Sequence, residues 1–200
     1  MKNEVVLVFQ KNEVLGKVKT RLAVGMGELR ALEIYRQLIQ LTYSALETIP
    51  VPVWTYFSDF IPETVTTRVE KSFVQQGQDL GERMANAFDC SFESGMEKVV
   101  LIGTDCPTLQ AQDLLHAFAA LNKSDLVLGP ASDGGYYMIG MKCSASYLFE
   151  GIAWSTPQVL SQTVDVAAKH GLTTTLLREQ DDVDTQEDWL RYSGQFENNS

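Results

Sequence analysis

Two aspartates follow strand-like segments, at positions where carboxylates could hold a divalent cation. Asp105 comes shortly after the apolar run Val99–Ile102, and Asp184 ends an acidic stretch that follows the segment Leu172–Leu177. Mg²⁺ binds one or two carboxylates together with water and ligand oxygens. The pair therefore predicts a site for Mg²⁺ (or Mn²⁺). The simpler alternatives are that Asp105 caps a turn and that Asp184 belongs to a solvated acidic turn.

A small basic island lies after the first apolar run, Val5–Phe9. Between Lys11 and Leu22 the chain has four basic residues and one acid, although its net charge is −10. Polyphosphate needs such local compensation, arginine binds oxyanions bidentately, and Gly16 would let the backbone approach them closely. The segment does not match the Walker pattern GxxxxGK[ST]. We expect Gly16, Lys19 and Arg21 to contact an anionic ligand, the alternative being a solvated basic loop.

Two further segments suit contact with a ligand. The stretch 76–83 precedes a helix N-terminus, where anions and base edges bind, and its candidate contacts are Gln76, Gly77, Asp79, Gly81 and Arg83. The glycine-rich and aromatic segment 130–137 and the segment 154–157 supply the candidate acceptor contacts Asp133, Gly134, Gly135, Tyr136 and Trp154. The alternatives are a capped helix start, a hairpin turn and a tryptophan used only for packing.

Strand-like and helix-like segments alternate, which is typical of an α/β domain with a largely parallel sheet. The predicted strands are 4–9, 53–57, 72–75, 99–102, 126–128, 136–141 and 172–177. The predicted helices are 28–48, a short one after Pro62, one from Leu80 that Gly95 ends, one around 114–121, one from Pro157 to Gly171 capped by Thr156, and a last short one capped by Thr185 with Asp188. We expect residues 1–200 to form one domain with a frayed polar tail at 195–200. Ligands bind at the carboxyl ends of such strands, so the motifs should meet at one edge of the sheet.

The composition excludes several classes of protein. With 44% hydrophobic and 21% charged residues, the chain is neither disordered nor a coiled coil. Its net charge of −10 argues against binding to nucleic acid or to anionic membranes. No apolar stretch approaches the ~20 residues that span a bilayer, and the three cysteines, without CxxC spacing, favour reduced thiols in the cytoplasm. Nothing in the sequence indicates an oligomer, although one is possible.

Taken together, the motifs resemble a family of cytoplasmic, glycosyltransferase-A-like proteins in the nucleotide-diphospho-sugar transferase superfamily. The matching stretches, spread over about residues 4–190, are 16–22, 76–84, 103–107, 129–140, 154–157 and 182–185. The arrangement is more distantly similar to the 2-phospho-lactate and molybdenum-cofactor guanylyltransferases. The first loop departs from the family, which usually has prolines where this chain has Glu13 and Leu15.

The resemblance implies a Rossmann-like fold of the GT-A type: three layers, α/β/α, around a mostly parallel, mixed sheet of about seven strands. It also implies Mg²⁺ held by the aspartates at 105 and 184, and phosphate contacts from Lys19 and Arg21. The ligands would be a nucleotide or nucleotide sugar and a small-molecule acceptor.

Three functions stay open. Nucleotidyl transfer from an NTP to a small phosphorylated acceptor is slightly favoured, because the basic island suits a triphosphate; Lys19, Arg21 and Asp105 would be its catalytic residues. Glycosyl transfer from a nucleotide-diphospho-sugar is nearly equal in weight, although Asp105 is the only acid present of the expected D-x-D pair. The third is a non-catalytic nucleotide-binding module.

Overall fold

The fold is built on a seven-stranded mixed sheet. The computed structural model describes residues 3–65 and 68–197. The strands are β1 (Glu4–Gln10), β2 (Val53–Phe57), β3 (Lys71–Val74), β4 (Lys98–Ile102), β5 (Leu126–Pro130), β6 (Tyr136–Met141) and β7 (Thr174–Leu176). Their order is β3-β2-β1-β4-β6-β5-β7, and only β6 runs antiparallel to its neighbours β4 and β5. The predicted mostly parallel, mixed sheet is confirmed.

Helices cover both faces of the sheet. They are α1 (Thr20–Met26), α2 (Glu28–Glu47), α3 (Leu80–Glu93), α4 (Ala111–Ala120), α5 (Val159–Lys169) and α6 (Gln186–Glu197), with a 3₁₀ helix at Ser146–Phe149. Successive side chains of a strand point to opposite faces, and in β1 both faces are apolar. Val6 and Val8 pack in the cluster that holds the buried faces of α2 and α4, whereas Val5 and Leu7 pack with α3 and α5. The three-layer α/β/α architecture is therefore confirmed.

A smaller cluster attaches α1 and α6 to the outer side of α2. Leu22 of α1, Leu38 of α2 and Trp189 of α6 are buried in it, together with Val183 from the segment before α6. This cluster fixes both the end of the first loop and the acidic segment 181–184 against the same helix.

Three helical predictions were wrong. Helix α1 lies inside the segment predicted as a basic loop, since Leu22 gives this short helix a buried contact. The described residues that follow Pro62, 63–65 and 68–70, contain no helix, and 66 and 67 lie outside the description. Helix α5 begins at Val159 instead of Pro157, because the Thr156 hydroxyl donates to the carbonyl of Ala153 (2.7 Å) and closes a turn.

Two smaller expectations also need correction. Helical spacing places Leu80 on one face with Met84 and Phe88, which are buried, but Leu80 itself is the first residue of α3 and is 46% exposed. The tail predicted to fray from residue 195 is helical in α6 as far as Glu197, while 198–200 lie outside the description. Among the described residues, no helix combines the length and the apolar character needed to cross a membrane.

Candidate active site

Lys19, Asp105 and Asp184 meet at the carboxyl ends of the parallel strands. Asp105 lies in the loop after β4, Lys19 precedes α1 in the loop after β1, and Asp184 precedes α6. The Lys19 Nζ atom lies 2.7 Å from Asp105 Oδ1 and 3.0 Å from Asp184 Oδ1. Because both oxygens contact the same nitrogen, the separation between Asp105 Oδ1 and Asp184 Oδ1 is at most the sum of these two distances. The structure thus brings the two predicted metal-binding aspartates to one point, with an ammonium between them.

Backbone hydrogen bonds hold the loops of this cluster in register. The Val183 N–H donates to the carbonyl of Asp105 (2.9 Å), which ties the acidic segment 181–184 to the loop after β4. The Asp188 carboxylate accepts from the N–H groups of Asp184 (3.1 Å) and Thr185 (2.8 Å) at the start of α6. Asp184 is thus positioned by the predicted Thr185–Asp188 cap, which is confirmed.

Lys19 is the most constrained residue of the cluster. It has a left-handed backbone (φ 47°, ψ 47°), uncommon for a residue other than glycine, and only 6% of its side chain is exposed. Burial alone lowers the pKa of Lys19, but the carboxylates of Asp105 and Asp184 outweigh that effect and raise it. The ammonium therefore stays charged.

Two further predicted contacts lie on either side of Lys19: Gly16 in the loop before it and Arg21 in the first turn of α1. An Arg21 guanidinium nitrogen is 3.5 Å from Asp184 Oδ2, and 72% of the side chain is exposed, so it can reach for a ligand. Gly16 has a positive φ of 74°, and a β-carbon there would lie 3.2 Å from the Glu28 carboxylate. A larger residue at position 16 would thus be both strained and crowded.

Tyr35 connects the loops after β1 and β4, and sequence reasoning treated it only as a core residue of α2. Its hydroxyl accepts from the Lys11 N–H (2.8 Å) and donates to the Lys11 carbonyl (3.2 Å). The Thr104 hydroxyl, next to Asp105, is 3.2 Å from the same oxygen. The helical spacing of Tyr35 did not indicate that its hydroxyl group would hold two loops of the site together.

Asp182 is a further acidic group of the cluster to which sequence reasoning gave no role. Its Oδ1 atom is shielded from solvent and has no hydrogen-bond partner. Burial raises the pKa of Asp182 to about 7, with a contribution from the negative charge of Asp105, while Lys19 acts in the opposite direction. The residues 181–184 form no strand, so no local periodicity marks Asp182 among its acidic neighbours, and its burial depends on the packing around Val183.

The oxygen atoms of this cluster fit a hard divalent cation. The half-exposed carboxylates of Asp105 and Asp184 share one cationic neighbour, Lys19. No group of three or more His, Cys, Asp or Glu within the described ranges could hold a metal ion by itself. Asp105 and Asp184 are therefore the two carboxylates that a cation would find here, and Mg²⁺ commonly completes such a shell with water and ligand phosphates.

The stretch predicted for nucleotide contact forms the N-terminal turn of α3, at the carboxyl end of β3. Asp79 Oδ1 accepts from the Glu82 N–H (2.8 Å) as the cap of α3, and the Arg83 side chain donates to the Gly77 carbonyl (3.2 Å). Gln76 and Gly77 are exposed, and Gly77 has a φ of 140°. Gly81 is buried, and a β-carbon on it would lie 2.6 Å from Trp154 Nε1.

The predicted acceptor residues separate into two groups. Asp133, Gly134 and Gly135 form the turn between β5 and β6, where Asp133 Oδ1 accepts from the Gly135 N–H (2.8 Å). Gly134 packs closely against Pro157. The Tyr136 side chain packs in the core under α5, with its hydroxyl shielded from solvent.

The segment 154–157 connects the start of α3 with the turn between β5 and β6. Trp154 packs over Gly81 at the start of α3, and Pro157 packs on Gly134 of the acceptor turn. Between them, Ser155 has a left-handed backbone with φ 63°. The structure thus places Trp154 beside the predicted nucleotide segment, although sequence reasoning assigned it to the acceptor.

The sheet order, the loops at its carboxyl edge and the acidic cluster together define a protein of the nucleotide-diphospho-sugar transferase superfamily. Residues 55–156 match the family described as "Uncharacterized protein conserved in bacteria (DUF2064)". The chain belongs to this family. It is also 31% identical to a "putative nucleotide-diphospho-sugar transferase" from Desulfovibrio desulfuricans G20, with a TM-score of 0.86 over 92% of this chain and 84% of that one. The predicted family resemblance is confirmed.

More distant structures share the fold. CMP:2-keto-3-deoxy-manno-octonic acid synthetase, solved with CTP, is 11% identical, with a TM-score of 0.60 over 100% of both chains. A 4-diphosphocytidyl-2C-methyl-D-erythritol synthase from Anaerococcus prevotii DSM 20548 is 9% identical, with a TM-score of 0.61 over 98% of this chain and 100% of that one. No curated protein matches the chain.

Proposed function

We propose that this protein is a cation-dependent transferase that moves a nucleotidyl group from an NTP to a small phosphorylated acceptor. The observation that carries the proposal is the meeting of Lys19, Asp105 and Asp184, with Arg21 beside them, at the carboxyl edge of the sheet. Cations for a polyphosphate and carboxylates for a divalent ion are the two requirements of phosphoryl-type transfer. The relative from Desulfovibrio desulfuricans and the synthetase solved with CTP support a nucleotide as one substrate.

In the proposed reaction an oxygen of the acceptor phosphate attacks the α-phosphorus of the NTP. The bond from this phosphorus to the oxygen that bridges to the β-phosphorus breaks, and pyrophosphate leaves with the electron pair. Arg21 and Lys19 would bind the phosphates and neutralise the leaving group. Asp105 and Asp184 would hold Mg²⁺ (or Mn²⁺), which supplies charge neutralisation and alignment of the phosphates. No protein nucleophile is needed.

Glycosyl transfer is the second candidate, and the charge of the acceptor side favours it. Asp133, Asp181 and Asp182 lie on the segments 130–136 and 178–184. Arg178 is the basic residue of these two segments, and its Nε atom lies 2.7 Å from Asp113 Oδ1. Segments rich in carboxylates suit an uncharged polyol better than a second phosphate, because they repel an anion. The name of the Desulfovibrio relative points to a nucleotide sugar as donor.

The test is product analysis with each NTP and each sugar nucleotide, in the presence of Mg²⁺ and a panel of sugar phosphates and polyols. Release of pyrophosphate supports nucleotidyl transfer, and release of a nucleoside diphosphate from a sugar nucleotide supports glycosyl transfer. Nucleotide binding with neither product would indicate the non-catalytic module. The same panel identifies the base and the acceptor. We place the reaction in the cytoplasm, in keeping with three cysteines that have no CxxC spacing.

Replacement of Asp105 tests the site directly. For Asp105→Asn we expect turnover to fall by about two orders of magnitude or more, because one of two cation-binding carboxylates is lost. Asp165→Asn is the matched control, since Asp165 is an exposed aspartate of α5. Turnover of Asp105→Asn equal to that of the control would remove Asp105 from the mechanism.

A further inference from the structure

We infer that Lys19 competes with the divalent cation for Asp105 and Asp184, so that cation and polyphosphate binding are coupled through its ammonium. This inference rests on the cation dependence of the proposed function and adds a second role to Lys19. In the structure the ammonium lies within contact of both carboxylates, 2.7 Å from Asp105 Oδ1 and 3.0 Å from Asp184 Oδ1, and so takes up the space between them. Two cations cannot both take the same carboxylate oxygens.

The exposure of the three side chains shows how the exchange can occur. The Lys19 side chain is 6% exposed, whereas those of Asp105 and Asp184 are 38% and 40% exposed. A cation from solvent can therefore reach the carboxylates while the ammonium lies on their buried side.

Charge balance makes the exchange depend on the phosphates. Asp105 and Asp184 carry two negative charges, and the Lys19 ammonium already neutralises one of them. A divalent ion added beside an unmoved ammonium is repelled by it at a distance of a few ångström, where the interaction between like charges is strong. Polyphosphate supplies the negative charge that the ammonium needs once it leaves the carboxylates. The cation should therefore bind weakly alone and tightly together with a polyphosphate.

The type of residue and its place suit such a movement. Lysine is a point charge on a flexible stem, so rotation of its side chain can redirect the ammonium without moving the loop. Its backbone is fixed at the start of α1, where the Ala23 N–H donates to the Lys19 carbonyl (2.8 Å). The Arg21 guanidinium, 3.5 Å from Asp184 Oδ2, is a second cation beside this pair that would contact the same phosphates.

The test is the affinity of the protein for Mn²⁺ alone, measured by the loss of the electron paramagnetic resonance signal of free Mn²⁺. For Lys19→Met we expect binding to be tighter than wild type by about tenfold or more, because a neighbouring positive charge is removed. Lys19→Arg keeps the charge and should bind as weakly as wild type. Lys17→Met is the matched control: it removes one charge from the same loop, at an exposed residue, and we expect a change of less than about twofold.

The double variant Lys19→Met with Asp105→Asn tests whether the tighter Mn²⁺ binding depends on Asp105. We expect the increase in Mn²⁺ affinity to be lost in this double variant. Mn²⁺ affinity of Lys19→Met equal to or weaker than wild type would overturn the inference. Should Lys19→Met fail to fold by circular dichroism, Lys19→Gln serves for the same comparison. If Lys19→Met binds Mn²⁺ more tightly but the wild type forms no product, the inference stands and the proposed reaction is rejected. If the wild type forms product but Lys19→Met does not bind Mn²⁺ more tightly, the proposed reaction stands and the inference is rejected. Absence of Mn²⁺ binding by both the wild type and Lys19→Met would also overturn the inference.

Discussion

At the residue scale, Lys19 and Asp182 differ in the form that the surrounding charges favour. Lys19 is buried but stays charged, because two carboxylates contact it. The Oδ1 atom of Asp182 is shielded from solvent and has no hydrogen-bond partner, and burial together with the charge of Asp105 favours the protonated form of this residue. Sequence patterns showed that acids cluster in 179–185, but which acid loses solvent depends on the packing around Val183.

Asp182 should make the stability of the protein depend on pH. Its pKa rises from an ordinary 3.8 to about 7 on folding, because burial disfavours the carboxylate. Between these values the unfolded chain loses the proton and the folded chain keeps it, so stability falls as pH rises from about 4 to about 7. For Asp182→Asn we expect a free energy of unfolding that exceeds the wild-type value increasingly over this range.

Urea unfolding in the presence of a chelator, at pH 5 and pH 8, measures this difference. Asp165→Asn is again the control, because Asp165 is exposed on α5. If the wild type and Asp182→Asn lost the same free energy between the two pH values, the account of Asp182 would be wrong.

At the scale of elements, helix termini position the site. The Thr185–Asp188 cap was predictable, because a capping box has a local sequence signature. Helix α1 was not predictable, since it is short and depends on the burial of Leu22 against α2 and α6. The start of α5 was placed two residues too early, because the turn closed by Thr156 was not foreseen.

The cap of α6 should matter to the site as well as to stability. Asp188→Ala removes the acceptor of the Asp184 and Thr185 N–H groups. We expect a loss of about 1 kcal/mol in the free energy of unfolding, which is usual for a lost cap. We also expect weaker Mn²⁺ binding in the presence of an NTP, because Asp184 is no longer held.

Glu187→Ala is the matched control for Asp188→Ala. It removes an exposed acid from the same first turn, where the negative charge favours the helix but forms no cap. Equal losses of stability and of Mn²⁺ binding in both variants would show that the cap does not position Asp184.

At the scale of the whole molecule, a chain of net charge −10 must attract an anionic ligand through a few local cations. Long-range repulsion opposes the approach of polyphosphate, so contacts at the carboxyl edge of the sheet must supply its affinity. Arg21, with 72% of its side chain exposed, is the group best placed to reach the outer phosphates.

The stabilisation of the protein by nucleotides tests this arrangement. A ligand that binds the folded state raises the melting temperature, and at a fixed ligand concentration the rise is larger when the ligand binds more tightly. With Mg²⁺ present, we expect a larger rise with a nucleoside triphosphate than with the diphosphate, and we expect Arg21→Ala to reduce that difference. Arg30→Ala, an exposed arginine of α2 paired with Glu33, is the control. Equal reductions for both nucleotides would argue against a triphosphate as ligand.

The sequence by itself determined the alternation of strands and helices, the mostly parallel sheet and the edge at which the motifs gather. These follow from apolar periodicity and from the geometry of parallel strands, which are local rules. Only the tertiary structure decided that the Lys19 ammonium lies between Asp105 and Asp184, which is 165 positions away along the chain. It also decided that Tyr35 joins two loops and that Trp154 packs on Gly81. Contacts between side chains from distant segments depend on how the helices pack, and no local pattern encodes that packing.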